Sequence, residues 1–210
     1  MKDMLQSGKH TDGTPLTEED KQSFPVFISD IESLVPEWRQ TKFIGPTMGF
    51  EQAVNISLGN REVKVMWLGR GDTGGDAVIY VPDSKVVMTG DLVVSPTPYS
   101  FGSYLSEWIQ TLNKLMALDA TTIVPGHGLV QHDWGYVKTL VSMLESVTSQ
   151  VRAAVKQKLS LEDTRKKVDL ESYRRLLCGD SIWRNGAFRI AFAEPAVERA
   201  YQEAKFASED

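Results

Sequence analysis

Val124-Pro125-Gly126-His127-Gly128 decides how this chain is read. A histidine between two glycines has an unhindered ring on a backbone free to bend tightly. Two stretches of a similar kind stand before it. Thr89-Gly90-Asp91 closes a short apolar run, and Gly69-Arg70-Gly71-Asp72-Thr73-Gly74-Gly75-Asp76 closes another. Each puts an oxygen or nitrogen donor on a loop just past an expected strand. Three donors on three strand ends can converge on one metal centre, so Asp72, Asp91 and His127 are the candidate ligands.

The elements between these loops emerge from hydropathy patterning. Val54, Ile56 and Leu58 alternate with polar residues, Gly59-Asn60 signals a turn, and Val63, Val65 and Trp67 alternate again. This predicts a hairpin. Ala77-Val78-Ile79-Tyr80-Val81 and Val86-Val87-Met88, separated by Pro82-Asp83-Ser84, are nearly all apolar, which predicts a sheet covered on both faces. Leu105, Trp108, Ile109, Leu112, Leu115 and Met116 fall at helical spacing, then a short buried strand leads to His127. A long helix carries Tyr136, Leu140, Met143, Val147, Val151 and Val155 on one side. Beyond Ser160 come shorter helices, with Gly179 as a C-cap and Glu194-Pro195 opening the last. Upstream, Thr17-Glu18-Glu19-Asp20 reads as a helix start, and Pro25 and Pro36 are expected to chop the apolar residues after it into short helices.

The bulk numbers set the class. With 210 residues, 41% hydrophobic and 24% charged, the chain is an ordinary soluble globular protein. A net charge of -5 argues against nucleic acid as a partner. No apolar run is long enough for a membrane span, and the polar stretch from Met1 to Gly8 does not read as a signal peptide, although an upstream segment could carry one. The single cysteine, Cys178, allows neither an intrachain disulfide nor a cysteine-based zinc site.

Competing readings of the motifs are weaker. Gly69-Arg70-Gly71-Asp72-Thr73-Gly74 fits G-x-G-x-x-G, but a dinucleotide site needs a helix to begin at the glycines. The β-branched run closed by Pro82 predicts strand-loop-strand instead. There is no G-x-S-x-G elbow, and Cys178 has no histidine near it in sequence, so no catalytic nucleophile is assigned. His10 lies in a polar segment expected to be mobile, and His132 beside Asp133 suits a capping or surface role. Tyr99, Phe101, Tyr104 and Trp134 suit either packing or the lining of a pocket.

Taken together, the three loops resemble the second half of the metallo-β-lactamase-fold hydrolases. In that family a Gly-His-Thr-x-Gly-Asp loop precedes a hairpin ending in Thr-Gly-Asp, and a later strand ends in Pro-Gly-His-Gly. Here the matching segments are Gly71 to Asp76, Thr89-Gly90-Asp91 and Pro125-Gly126-His127-Gly128. The resemblance is good from about residue 50 to 130. It implies an α/β fold of the αββα-sandwich kind, partial, with residues 1–160 as domain (1–45 a helical linking segment, 50–130 the motif-bearing part) and 161–210 as a helical C-terminal extension. It implies one or two zinc ions, with Asp91 as the bridging carboxylate and His127 as a ligand of the second metal. Asp72 stands where the family has a histidine. Its harder oxygen shifts preference toward iron or manganese, or ends ligation.

The family's His-x-His-x-Asp-His motif is missing; the one histidine upstream is His10. The chain therefore resembles the second half of the domain: a frame begun at an internal methionine, a fragment, or a natural reduced form. The family reaction is attack of metal-bound hydroxide on an ester, lactone, thioester or amide of a small-molecule substrate. Three hypotheses compete: a metal-dependent hydrolase, a non-catalytic binding or assembly module of the same fold, and a half-site completed by a partner chain. A half-sandwich leaves an apolar sheet face open, so the isolated chain is expected to dimerise through it, to be poorly soluble, or to cover it with its extra helices.

Overall fold

The computed structural model describes residues 1–10, 13 and 15–207. The chain divides into two compact units, Met1–Gly49 and Phe50–Asp210.

The first unit holds α1 (Lys2–Ser7) and α2 (Glu18–Gln40). The helix start is as expected. The Thr17 side chain accepts from the Asp20 N–H, and the Asp20 carboxylate accepts from Thr17 N–H at 2.8 Å, which is a complete capping box. The expected series of short helices is not there. Pro25 and Pro36 both sit inside the single helix. A proline forfeits one i→i−4 bond and strains the turn before it, but 23 residues of helix continue through both losses. His10 is also not loose: its Nε2 lies 3.1 Å from Asp20 Oδ2 and its ring meets Phe24 edge-on.

The second unit is built on a five-stranded sheet in sequential order β1 to β5. The predicted hairpin is β1 (Ala53–Ser57) with β2 (Glu62–Trp67), paired antiparallel. β3 (Ala77–Val81) and β4 (Val86–Val94) are joined by the short 3-10 turn Pro82–Ser84. β4 then crosses through α3 (Leu105–Met116) to the parallel strand β5 (Thr122–His127). α4 (Gly135–Lys156) comes next, then α5 (Leu161–Lys167), α6 (Glu171–Cys178), α7 (Ile182–Ala187), a π-helical segment (Phe188–Ala193) and α8 (Glu194–Phe206). Among the described residues no helix is long and apolar enough to cross a membrane.

The pleat sorts the strands into two faces. Tyr80, Val87 and Ile123 are register partners, as are Met66 and Val78, and this face packs on Trp108, Leu112 and Leu115 of α3 and on Leu140, Met143 and Val147 of α4. The helical stripes read from the sequence are the ones that bury. The other face carries an unbroken apolar row, Val54, Val65, Ile79, Met88 and Val124, one residue from each strand. Ile79 and Met88 remain 36% and 40% exposed. The expectation of a sheet covered on both faces therefore fails. The tail does not supply the cover, because α8 packs on α3 and α4, on the far side of the sheet.

Candidate metal centre

β4 does not stop at Asp91. It runs on to Val94, with register shifts against β5 on either side of Gly90. Asp91 thus lies inside an irregular strand rather than on the loop beyond one, because Gly90 takes φ 53° and inserts a bulge. A bulge re-aims the next side chain, and here that side chain is Asp91. The Thr89 hydroxyl, fully buried, donates to Gly90 O at 3.0 Å and braces the irregularity from below.

His127 is the last residue of β5, in register with Val94, and its carbonyl accepts from Ser95 N–H at 3.0 Å. Its Nε2 stands 3.7 Å from Asp91 Oδ1. Both side chains are open, 58% and 42% exposed, so a ligand can reach them. The two glycines around His127 are steric requirements. A Cβ on Gly126 would stand 2.7 Å from Gly90 C and run into the Asp91 carboxylate. Gly128 has φ 102°, where L side chains are strained, and a Cβ there would meet Ser95 O at 2.5 Å. The edge of the Tyr99 ring packs against the imidazole, centroids 5.7 Å apart at 71°.

Asp72 lies on the β2–β3 loop. That loop is folded by its own residues: Gly71 N–H donates to Thr73 O at 3.0 Å, and Asp76 accepts from the Thr73 N–H at 2.9 Å and hydroxyl at 2.6 Å. A Cβ on Gly71 would meet Leu92 and stand 3.0 Å from Trp108, so this glycine lets the loop press onto the core. Burial pushes the Asp72 carboxyl up to about 6, and the charges of Asp76 and Asp91 add to the shift. Asp72 is therefore electrostatically coupled to Asp91. Asp76 was legible only as part of the loop motif, and its role is to hold the turn.

The donor set does not close around an ion. Among the described residues no group of three or more His, Cys, Asp or Glu side chains is disposed to hold a metal. Asp91 and His127 face each other; Asp72 contributes charge to the pair without joining it at one point. Two donors fall short of the three protein ligands of an open catalytic zinc site. His132 is not among them, and its neighbour Asp133 accepts from the Gly135 N–H at 2.6 Å at the start of α4.

Beside Asp72 a shallow groove of about 350 Å³ is walled by Tyr99, Phe101 and Tyr104. Three of the four aromatics singled out in the sequence thus line a pocket, while Trp134 packs against the core. Sequence reasoning missed Tyr136, whose buried hydroxyl donates to Val94 O and, at 3.2 Å, to Pro96 O, fixing the strand end next to His127. Burial raises its phenol above the ordinary value.

Comparison with known proteins accords with this geometry. A model of the metallo-beta-lactamase superfamily matches residues 17–127. Metallo-beta-lactamase type 2 of Bacillus cereus is 26% identical over 91 residues, covering 40% of this chain and 36% of that protein. Metallo-beta-lactamase IND-1 of Chryseobacterium indologenes is 36% identical over 76 residues, 33% of this chain and 32% of that one. Linear primary-alkylsulfatase of Pseudomonas sp. (strain ATCC 19151) is 26% identical over 123 residues, 55% of this chain and 22% of that one. The chain thus spans about a third of the length of these lactamases and about a fifth of the sulfatase. The sec-alkylsulfatase Pisa1 from Pseudomonas sp. superposes with a TM-score of 0.62 at 13% identity, over 77% of this chain and 27% of that one. A metallo-beta-lactamase family protein from Thermus thermophilus gives 0.55 at 12%, over 78% and 50%; both likenesses concern the fold. With the family model covering 17–127 of 210 residues, the chain belongs to the metallo-β-lactamase superfamily.

Proposed function

We propose that this chain carries part of the metal centre of a metal-dependent hydrolase, acting on an ester, lactone, thioester or amide. Asp91 and His127 are its ligands, Asp72 is the acid beside them, and the remaining ligands come from another segment or a second chain. The observation that carries this reading is the 3.7 Å approach of Asp91 Oδ1 to His127 Nε2 on adjacent strands. The bulge at Gly90 and the bare Gly126 exist to permit it. The ion would supply Lewis acidity; the contribution of this chain is to hold one carboxylate and one imidazole in register.

Zinc uptake by the isolated chain, measured by dialysis and elemental analysis, tests the proposal. At most one weakly held equivalent is expected, lost in Asp91→Ala and in His127→Ala. Two tight equivalents, lost in Asp91→Ala, would show the site completed between two copies of the chain, and uptake unchanged in Asp91→Ala would refute the ligand assignment.

The second reading is a non-catalytic binding or assembly module of the same fold. The lack of a third donor at one point, with Asp72 where the family has histidine, favours it. It requires that no zinc is taken up by the chain under any pairing with other segments.

A further inference from the structure

The connection from Ser95 to Tyr104 is fastened at more points than a link between β4 and α3 needs. Ser100 is fully buried, its N–H donates to Ala191 O at 3.0 Å, and its hydroxyl donates to Phe192 O at 2.8 Å. These carbonyls lie in the π-helical segment. Ser100 thus fastens the loop to the π-helical segment just before α8. Ser103 closes the turn by donating to Ser100 O at 3.1 Å, and Arg199 Nε donates to Ser103 O at 2.8 Å. Tyr104 N–H donates to Gly71 O at 2.8 Å and ties the same stretch to the Asp72 loop.

With Ser100 turned inward, its two neighbours turn outward. Tyr99 and Phe101 stack at 6.5 Å with planes 25° apart. Phe101 remains 64% exposed although its backbone is locked on both sides. A fixed loop that holds a bare aromatic face toward solvent has not been arranged by core packing. The groove that this face walls begins at Asp72, and Tyr99 continues it to the His127 ring. Among the described residues lining it there is no lysine, arginine or histidine, and the one ionisable carboxyl is that of Asp72. The nearby Arg70 lies over the Tyr104 ring at 4.2 Å and is neutralised by Glu107. Arg199 lies 5.7 Å from the Tyr104 ring, its guanidinium donating to Ser103 O and Gln202 Oε1. The groove wall itself therefore offers an anion no cation, whereas an uncharged apolar group would cover Phe101.

We propose that Tyr99 and Phe101 are specificity-determining residues that accept a neutral aryl or alkyl group flanking the scissile bond, with Ser100 as the positioning residue that holds them. The proposal rests on the reading of Asp91 and His127 as the reaction centre. Its chemistry selects uncharged apolar esters or amides over substrates carrying a carboxylate or sulfonate on that side.

The test uses the full chain and two probes of equal aromatic area, 2-acetamidonaphthalene (neutral) and naphthalene-2-sulfonate (anionic), titrated by fluorescence and by saturation-transfer NMR. The neutral probe should bind about tenfold more tightly. Phe101→Ala should weaken it by about tenfold and Phe101→Leu by less than about threefold. Ser100→Ala should weaken it about fivefold and erase the ring cross-peak between Tyr99 and His127, which loss of stability alone would leave in the folded fraction. Met88→Lys, on the open sheet face, should leave the affinity as it is. Equal or better binding of the sulfonate would overturn the proposal, as would a Phe101→Ala variant with undiminished affinity. Zinc uptake by Phe101→Ala should match the parent chain, so the wall and the metal reading fail separately.

Discussion

The two faces of the one sheet are built from equally apolar residues, yet they meet opposite fates. On one, Val78, Val87 and Ile123 are sealed under α3 and α4. On the other, Ile79 and Met88 keep more than a third of their surface in water, in a row that crosses all five strands. Residue type cannot tell the faces apart; only the neighbouring layer can. Burial of this kind stabilises by about 25 cal/mol per Å² of apolar area removed from water, and the open face gains less of it than the sealed one. An apolar row left partly exposed across a sheet is what chains bring together, so concentration-dependent self-association is the expected behaviour of this one.

Adjacent residues of β4 give the largest contrast. Val87→Asp puts an unpaired carboxylate under the helices and should cost about 4 kcal/mol or more, enough to unfold the second unit in chemical denaturation. Met88→Asp, one residue on and facing away, should change stability by less than about 1 kcal/mol and raise the monomer fraction in sedimentation velocity. Equal losses from both would show that the open face is covered in solution.

Trp108→Ala tests the depth of the sealed face. Its ring is fully buried and its Nε1 donates to Leu92 O at 3.1 Å, just past Asp91. The loss should be about 3–5 kcal/mol. Zinc uptake should fall with it, since Leu92 anchors the strand that presents Asp91.

A smaller, pH-dependent effect lies at the rim, where charge decides and neither face rule holds. The folded chain raises the Asp72 carboxyl from 3.8 to about 6. The folded state therefore binds more protons than the unfolded one between those values, and stability falls as pH rises through that window. The penalty is absent below about 3.8 and complete above about 6. In the metal-free chain, with chelator present, Asp72→Asn should stabilise by roughly 1–2 kcal/mol at pH 7 after allowance for partial exposure, and by nothing near pH 3.5. A melting temperature unmoved at pH 7 would show that Asp72 is not desolvated.

How much of this was legible beforehand differs by the range of the interaction. The β1–β2 hairpin, the α3 and α4 stripes and the capping box were readable because each depends on residues within a few positions, such as Gly59-Asn60 or Thr17 and Asp20. Asp91 and His127 were singled out together because each follows a short apolar run next to glycine and because the three loops resemble the family's. The α2 prolines misled, since the cost of a lost bond is local but the decision to continue is made by the whole helix. The open face was legible only through the family resemblance, since hydropathy alone makes Ile79 and Met88 look like core. The bond from Ser100 to Ala191, which spans 91 positions, could not be read at all.

The bonds from Ser100 give the C-terminal helices leverage over a loop far from them in sequence. Shortening the chain just after α4 would delete no residue of the aromatic wall, yet it would remove the carbonyls on which Ser100 hangs. Swapping those helices between relatives should therefore retune which molecules enter the groove, with every groove residue left in place.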